Sequence, residues 1–348
     1  NSILAVLQQI DIFCDFVISS EFVKFLNIKL KTTESIPKTI IYQIHKLFKI
    51  SLSMDDGSLT PTSLRKVCAD KDFVWGNSEQ QDSSEFLQFV LNQLFEEMGQ
   101  DVLLVPGKFK DMPSLQDEPL SKSFLTIQSI ISLNQFLRKE FSPITNLFTS
   151  LQHTTIKCKI CKNENNSFET SNIWQLHIPF DQKNPNQEFD IYELMNKWSE
   201  DEKLDDKNRY RCEFCGGKSN ATKNIKMMRT PKILILQLLR FKKDMYGQIH
   251  RKIVNKVKYP VCDLDISKYL TKGSNFTGKT KYNLFAVNCH FELGQMQNLN
   301  WGHYISIVKN RLDNNWYAFN DSHKPIKILS ESDIIHKNSY LLFYYRTN

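Results

Sequence analysis

Apolar residues recur at helical spacing over the first stretch of the chain: Ile3, Leu4, Leu7 and Ile10, then Phe13, Phe16, Val17, Phe22, Phe25 and Leu26. That period predicts one or two helices at once, with Asn1-Ser2 at the opening of the first, where serine favours capping free amides. Ile40 to Leu52 is a further amphipathic segment, closed by Asp55-Asp56-Gly57, and Ser63 to Cys68 is a shorter one. Ser78-Glu79-Gln80-Gln81-Asp82-Ser83-Ser84-Glu85 then runs into Phe86, Leu87, Phe89, Val90, Leu91, Leu94 and Phe95, a polar start feeding an apolar helix. Asp82 with Glu85 has the form of a capping box, and acids in a first turn complement the helix dipole. Capping alone does not require Gln80, Gln81, Asp82 and Glu85 together.

Residues 101 to 140 mix proline, glycine and charge and predict a mobile connection or insertion. From Ile144 the pattern shifts to short strands, with alternation from Ser167 to Ile178 and a helix over Asp190 to Glu200. Ile233-Leu234-Ile235-Leu236 is the strongest apolar run and predicts a central strand buried on both faces. Tyr304 to Val308 alternates, Asp313-Asn314-Asn315 has turn chemistry, and Trp316 to Phe319 is aromatic strand sequence, so an antiparallel hairpin is expected there.

Composition narrows the class. The 348 residues suffice for one large domain or two ordinary ones; 41% hydrophobic and 24% charged content fits a globular protein and fits neither a disordered chain nor a membrane span. The net charge of +7 is spread over 45 basic and 38 acidic residues, with the lysines scattered, which disfavours nucleic acid as a partner. Four of the eight cysteines form two C-x-x-C pairs; Cys14, Cys68, Cys262 and Cys289 stand in apolar or strand-like settings and are expected as buried thiols in a reducing compartment.

The pairs carry chemistry. Cys158-Lys159-Ile160-Cys161 and Cys212-Glu213-Phe214-Cys215-Gly216-Gly217 each offer two thiolates on a tight turn, and four such ligands make a closed tetrahedral zinc site. The 50 residues between the pairs imply that the metal staples the tips of two separate hairpins and is structural, since no position is left for water. In the hairpin, Trp301-Gly302-His303-Tyr304 supplies a histidine, and Phe319-Asn320-Asp321-Ser322 supplies an amide or carboxylate able to orient it from the adjacent strand. Gly302 leaves room for another backbone, as a site for an extended peptide needs. His290, His323 and His336 lack such a partner in their surroundings and are left as structural.

Taken in order, these segments resemble the ubiquitin-specific protease family of deubiquitinases. The likeness runs the whole chain: Asn1-Ser2-Ile3-Leu4 as the tail of the cysteine box, Gln80 to Leu87, the two cysteine pairs, Leu239-Arg240-Phe241, Tyr282 to Val287 leading to His290, Gly302-His303-Tyr304, Phe319 to Ser322, and Tyr340 to Tyr344. It implies an α+β fold, the hand of a papain-like cysteine peptidase. A helical thumb would span 1–150, zinc-tipped fingers 151–232, and an antiparallel palm 233–348. Ubiquitin or ubiquitinated proteins are the implied partners, and cytoplasm or nucleus the implied location. His303 would be the general base, oriented by Asn320 with Asp321 as a second contributor. Gln81, Asp82, Glu85, Trp301 and Gly302 would bind the ubiquitin tail, Asp82 and Glu85 through its arginines; the loops Lys242 to Arg251 and Gln295 to Trp301 would flank it. Gln237 to Phe241 departs from the histidine and lysine that relatives often carry, and the spacing from His290 to Gly294 is unusual. In the family the nucleophilic cysteine lies three residues before the Asn-Ser pair and an oxyanion-stabilising asparagine five before that, so both fall upstream of Asn1. Three functions stand side by side: a thiol-dependent deubiquitinase, a ubiquitin-binding scaffold without a nucleophile, and a zinc-ribbon nucleic-acid binder.

Overall fold

The computed structural model describes residues 1–30, 35–54, 57, 59–77, 79–100, 120–179, 184, 187–243, 249–271, 279–292, 302–321 and 323–347. The opening apolar period makes three helices rather than one or two: Ser2–Gln8, Asp11–Ile18 and Ser20–Leu30. Two residues break it. Ile10 (φ −82, ψ 98) and Ser19 (φ −68, ψ 158) are extended, and the Ser19 hydroxyl accepts the Phe22 amide at 3.2 Å to cap the third helix. Ile40–Ser53, Thr62–Lys71 and Ser83–Met98 follow where the amphipathic segments predict them.

Inside this helical layer Glu97 is 7% exposed, and its two carboxylate oxygens accept the Ile40 and Ile41 amides, each at 2.9 Å. A side chain from one helix thus serves free amides at the start of another. Burial pushes the Glu97 carboxyl up, while the two amides and Lys71, 3.7 Å away, pull it down.

The segment expected as a loop over 101–140 is helical over Leu120–Glu140; 101–119 lies outside the described residues. Leu133 of this helix packs with Leu151 and Met228. Its apolar residues are too widely scattered to show a periodic stripe, so tertiary packing decides the helix.

Among the described residues, two large sheets and three two-stranded ones carry the rest. A four-stranded sheet runs Glu164–Ser171, Ser150–Cys158, Ala221–Arg229, Glu202–Leu204. An eight-stranded sheet has the path Ile326–Ile328, Trp316–Phe319, Gly302–Lys309, Lys281–Glu292, Ser339–Arg346, Ile233–Leu239, Trp174–His177, with Leu264–Asp265 paired off it. All its pairs are antiparallel except the last, so the architecture is α+β.

The run Ile233 to Leu236 is the doubly buried strand that its composition predicts: Ile233 and Ile235 join the core under the helices, and Leu234 and Leu236 join a second core on the other face. Leu341 and Phe343 against Leu342 and Tyr344 divide in the same way. Helix Ile191–Trp198, started by a capping box of Asp190 and Glu193, covers the second face with Ile191, Leu194 and Met195. Cys14, Cys68 and Cys289 are buried as expected, but Cys262 is exposed. It lies in the turn between Val257–Lys258 and Leu264–Asp265, where no element covers it.

Glu97→Ala leaves two buried amides without acceptors, and each such group costs about 1–3 kcal/mol. The expected outcome is a loss of roughly 2–6 kcal/mol in urea unfolding, and a loss below about 0.5 kcal/mol would contradict the assigned role.

Candidate active site

The strand Gly302–Lys309 pairs with Lys281–Glu292 from Glu292↔Gly302 to Ala286↔Val308, but with Trp316–Phe319 only from Ser306↔Phe319 onward. The shorter partner ends level with Ser306, and the chain beyond it leaves the ladder while running on toward the head of the strand, with Asp321 left-handed at φ 46. His303 Nε2 donates to Asn320 Oδ1 at 2.5 Å. That bond fixes the ring and leaves Nδ1 as the basic nitrogen. Asp321 stands further off, its Oδ2 3.7 Å from Nε2, and its Oδ1 accepts the side-chain amide of Asn1 at 3.0 Å.

His303 and Asp321 line a cleft of ≈ 600 Å³ whose other walls are the start of the first helix, Trp75, Phe86 and the Gln80-Gln81 segment. Gln80 spans it, its Oε1 accepting the Gly302 amide at 2.6 Å. Asp82 is held from both sides. Its Oδ1 accepts the Ser84 and Glu85 amides at 2.7 and 3.1 Å, capping Ser83–Met98, while its Oδ2 accepts Tyr340 at 2.8 Å and Tyr304 at 3.3 Å. Gln237 donates to the Tyr340 hydroxyl at 2.7 Å, so the acid is anchored to the sheet.

Behind the cleft His290 is 5% exposed and packs near Tyr304 at 4.7 Å and Phe241 at 5.1 Å between centroids. It explains Gly302: a Cβ there would lie 2.0 Å from His290 Nε2 and 2.8 Å from the Phe291 carbonyl. The crowding that demands glycine comes from the protein's own histidine. Burial first, then Lys252 and His303, lower His290 to about 4, so its ring is neutral.

Away from the cleft, Cys158 and Cys161 leave the hairpin of Ser150–Cys158 and Glu164–Ser171, and Cys212 and Cys215 the hairpin of Tyr210–Cys212 and Gly217–Ser219. The sulfurs of Cys158 and Cys215 are 3.8 Å apart, those of Cys161 and Cys212 3.6 Å, and all four lie within 4.8 Å. Four sulfurs about 2.3 Å from one zinc sit about 3.8 Å apart, so the donor set fits a tetrathiolate. The residue after each pair is left-handed, Lys162 at φ 62 and Gly216 at φ 70. The thiols share charge unevenly: donors led by the Ser219 hydroxyl pull Cys158 down to about 6, and bonds to its neighbours, Cys161 first, push Cys215 up to about 12. A bound cation removes that conflict.

A model of the family described as ubiquitin carboxyl-terminal hydrolase matches residues 1–344. The chain belongs to the ubiquitin carboxyl-terminal hydrolase family. Ubiquitin carboxyl-terminal hydrolase 4 of Saccharomyces cerevisiae is 28% identical over 366 residues, covering 99% of this chain and 37% of the yeast protein. The chain thus spans little over a third of that relative's length. The probable ubiquitin carboxyl-terminal hydrolase R319 of Acanthamoeba polyphaga mimivirus is 27% identical over 344 residues, 89% of this chain and 70% of that one. Two solved structures share the fold. The SAGA Ubp8/Sgf11/Sus1/Sgf73 DUB module bound to ubiquitin aldehyde superposes with a TM-score of 0.66 at 21% identity, over all of this chain and 67% of that one. The same module carrying a substituted Ubp8, bound to monoubiquitin, gives 0.68 at 22%, over all of this chain and 66% of the other. The zinc site is the cofactor site of this member of the hydrolase family, and no helix among the described residues is long and apolar enough to cross a membrane.

Of the residues singled out in the sequence, His303, Asn320, Asp321, Gln81 and Gly302 gather at or beside the cleft. Asp82 is turned into capping and tyrosine contacts, and Glu85 is exposed on the first turn of its helix. Trp301, Ser322, Gly294, 244–248 and 295–300 lie outside the described residues. Gln80, His290, Asn288 and Ser306 were not marked as site residues. A lone asparagine in the apolar run Leu284 to Cys289 was the available signal.

Elemental analysis should find one zinc per chain, and Cys161→Ala should abolish it and lower the melting temperature; a metal-free protein of equal stability would contradict the tetrathiolate. His290 predicts a pH effect. Its folded pKa, about 4, is below the ordinary value of 6.5, so its contribution to stability is whole above 6.5 and lost as pH falls toward 4. The unfolding midpoint should drop across that window, and drop less in His290→Gln. An equal drop in both proteins would refute this source.

Proposed function

We propose that the protein is a thiol-dependent deubiquitinase that hydrolyses the peptide or isopeptide bond after the C-terminal glycine of ubiquitin. The observation that carries this reading is the His303 to Asn320 bond, which presents a basic Nδ1 in a cleft shared with Gln80, Gln81 and the start of the first helix. The helical layer serves as thumb, the four-stranded sheet with its zinc tip as fingers, and the eight-stranded sheet as palm. Ubiquitin rests on the fingers, and its tail threads between thumb and palm past Gln81, Asp82, Glu85, Gly302 and Trp301. Cytosol or nucleus, where thiols stay reduced, suits the chemistry.

None of the eight cysteines suits as nucleophile. Four belong to the zinc site; burial pushes Cys68 and Cys289 up to about 12 and raises Cys14. Cys262 adjoins the end of Lys281–Glu292 paired through Leu264↔Tyr282, roughly 33 Å of strand from Glu292↔Gly302. The resemblance to the family places the nucleophile at a cysteine three positions before Asn1, with an asparagine five further upstream stabilising the oxyanion. His303 takes the thiol proton, the thiolate adds to the glycine carbonyl, and the amine leaves carrying that proton. Water then gives its proton to His303 and adds to the acyl-enzyme, releasing the ubiquitin carboxylate and restoring the thiol. The second reading is a ubiquitin-binding scaffold that does not cleave.

A chain extended upstream of Asn1 should react with an electrophile-tipped ubiquitin probe. His303→Ala should abolish turnover with ubiquitin affinity within about threefold, and Asn320→Ala should lower kcat by about 10²-fold or more. Unchanged cleavage by His303→Ala would overturn the base. Ubiquitin binding without labelling or cleavage would establish the scaffold.

A further inference from the structure

Three buried polar side chains between the helical layer and the large sheet form a continuous chain. The Ser83 hydroxyl donates to Asn288 Oδ1 at 2.7 Å, Asn288 Nδ2 donates to Ser306 Oγ at 3.2 Å, and the Ser306 hydroxyl donates to the Ser2 carbonyl at 3.0 Å. Ser83 is 5% exposed, and Asn288 and Ser306 are 0% exposed. Each hydroxyl has one proton and each is spent along the same direction, so the amide of Asn288 has one workable orientation.

The chain joins three different walls of the cleft. Ser83 begins the helix that continues from Gln80 and Gln81; Ser306 lies three residues after His303 on the same strand; Ser2 begins the first helix. Asn288 sits opposite Ser306 in register, between Val287 and Cys289, both fully buried. An aliphatic residue would suit that apolar run without the expense of desolvating an amide. What the amide supplies in return is direction: it fixes where the first helix begins relative to the strand that carries the imidazole.

We infer that Asn288 is a positioning residue, the hub of a Ser83–Asn288–Ser306–Ser2 relay that sets the start of the first helix against His303. Its catalytic consequence rests on the deubiquitinase reading. Proton transfer to His303 requires a thiol within about 3 Å of the ring, and a misplacement of about 1 Å lowers the rate by about 10²-fold. Gln80 and Asn320 hold the strand side of that distance; the relay holds the helix side.

The test uses the chain extended upstream of Asn1. Asn288→Leu strands the buried Ser83 hydroxyl and takes from Ser306 the amide it accepts, and should lower both stability and kcat. The triple variant Ser83→Ala, Asn288→Leu, Ser306→Ala removes the three polar side chains together and leaves only the Ser2 main-chain carbonyl, so its cost in stability is small. It should melt close to wild type and yet show kcat reduced about 10- to 100-fold, with KM within about twofold. In the absence of ubiquitin, hydrogen exchange of the Ala5 and Val6 amides should quicken about tenfold or more, while that of Leu341 to Phe343 stays unchanged. Wild-type kcat and wild-type exchange in the triple variant would overturn the inference, since the relay would then only satisfy the core. If wild type shows no turnover but the helix start still loosens in the triple variant, the relay is supported and only the cleavage reading falls.

Discussion

The strand Gly302–Lys309 has two partners of unequal length, and the difference places the imidazole. Were the ladder with Trp316–Phe319 to continue in the same register, Asn320 would be paired with Ile305 and Asp321 with Tyr304. Because that partner stops level with Ser306, the next two residues are released from the ladder while still running toward the head of the strand, and their side chains reach the ring. A one-residue slip in this register would carry His303 to the other face of the sheet. The broad hydrophobic pairing of Lys281–Glu292 with Ser339–Arg346 and Gly302–Lys309 prevents it. The geometry around His303 is therefore a property of the sheet's core.

Where the helical layer meets that sheet, the polar side chains at the cleft are engaged on both sides. Asp82 caps a helix with one oxygen and binds two tyrosines with the other, and Glu97 serves a neighbouring helix in the same manner. Such groups specify one arrangement among many that apolar packing tolerates. They also separate two meanings of an acidic residue in a first turn. Glu85 presents its carboxylate outward, whereas Asp82 acts chiefly by orienting the wall on which Gln80 and Gln81 stand.

Periodic features were legible in the chain. Ile233 to Leu236 announced a doubly buried strand, the run Phe86 to Phe95 a helix, and the two cysteine pairs a metal knot between hairpins. Features that depend on a distant partner were not. Leu120–Glu140 is helical because Leu133 finds Leu151 and Met228, and no local stripe records that. Ile10 and Ser19 divide the opening helices through backbone geometry that residue type alone leaves open. Gly302 was legible as a place where something must approach closely, but the approaching group is His290, on the neighbouring strand. Cys262 shares the apolar flanks of the buried thiols and is nonetheless left uncovered.

The ties that complete the cleft join the two ends of the chain. Ser2 is bonded to Ser306, Asn1 to Asp321, and Arg311 to both Gln9 and Asp15. Contacts so remote in sequence form after local ones, because a long loop must close first. On a ribosome adding roughly 5–20 residues per second, the first helix waits tens of seconds for the strand it will pack on. During that interval the apolar faces of Ile3, Leu7 and Phe13 have no sheet to cover them, and the imidazole has no wall opposite. Of the elements that line the cleft, the first helix thus waits longest for the strand that completes it.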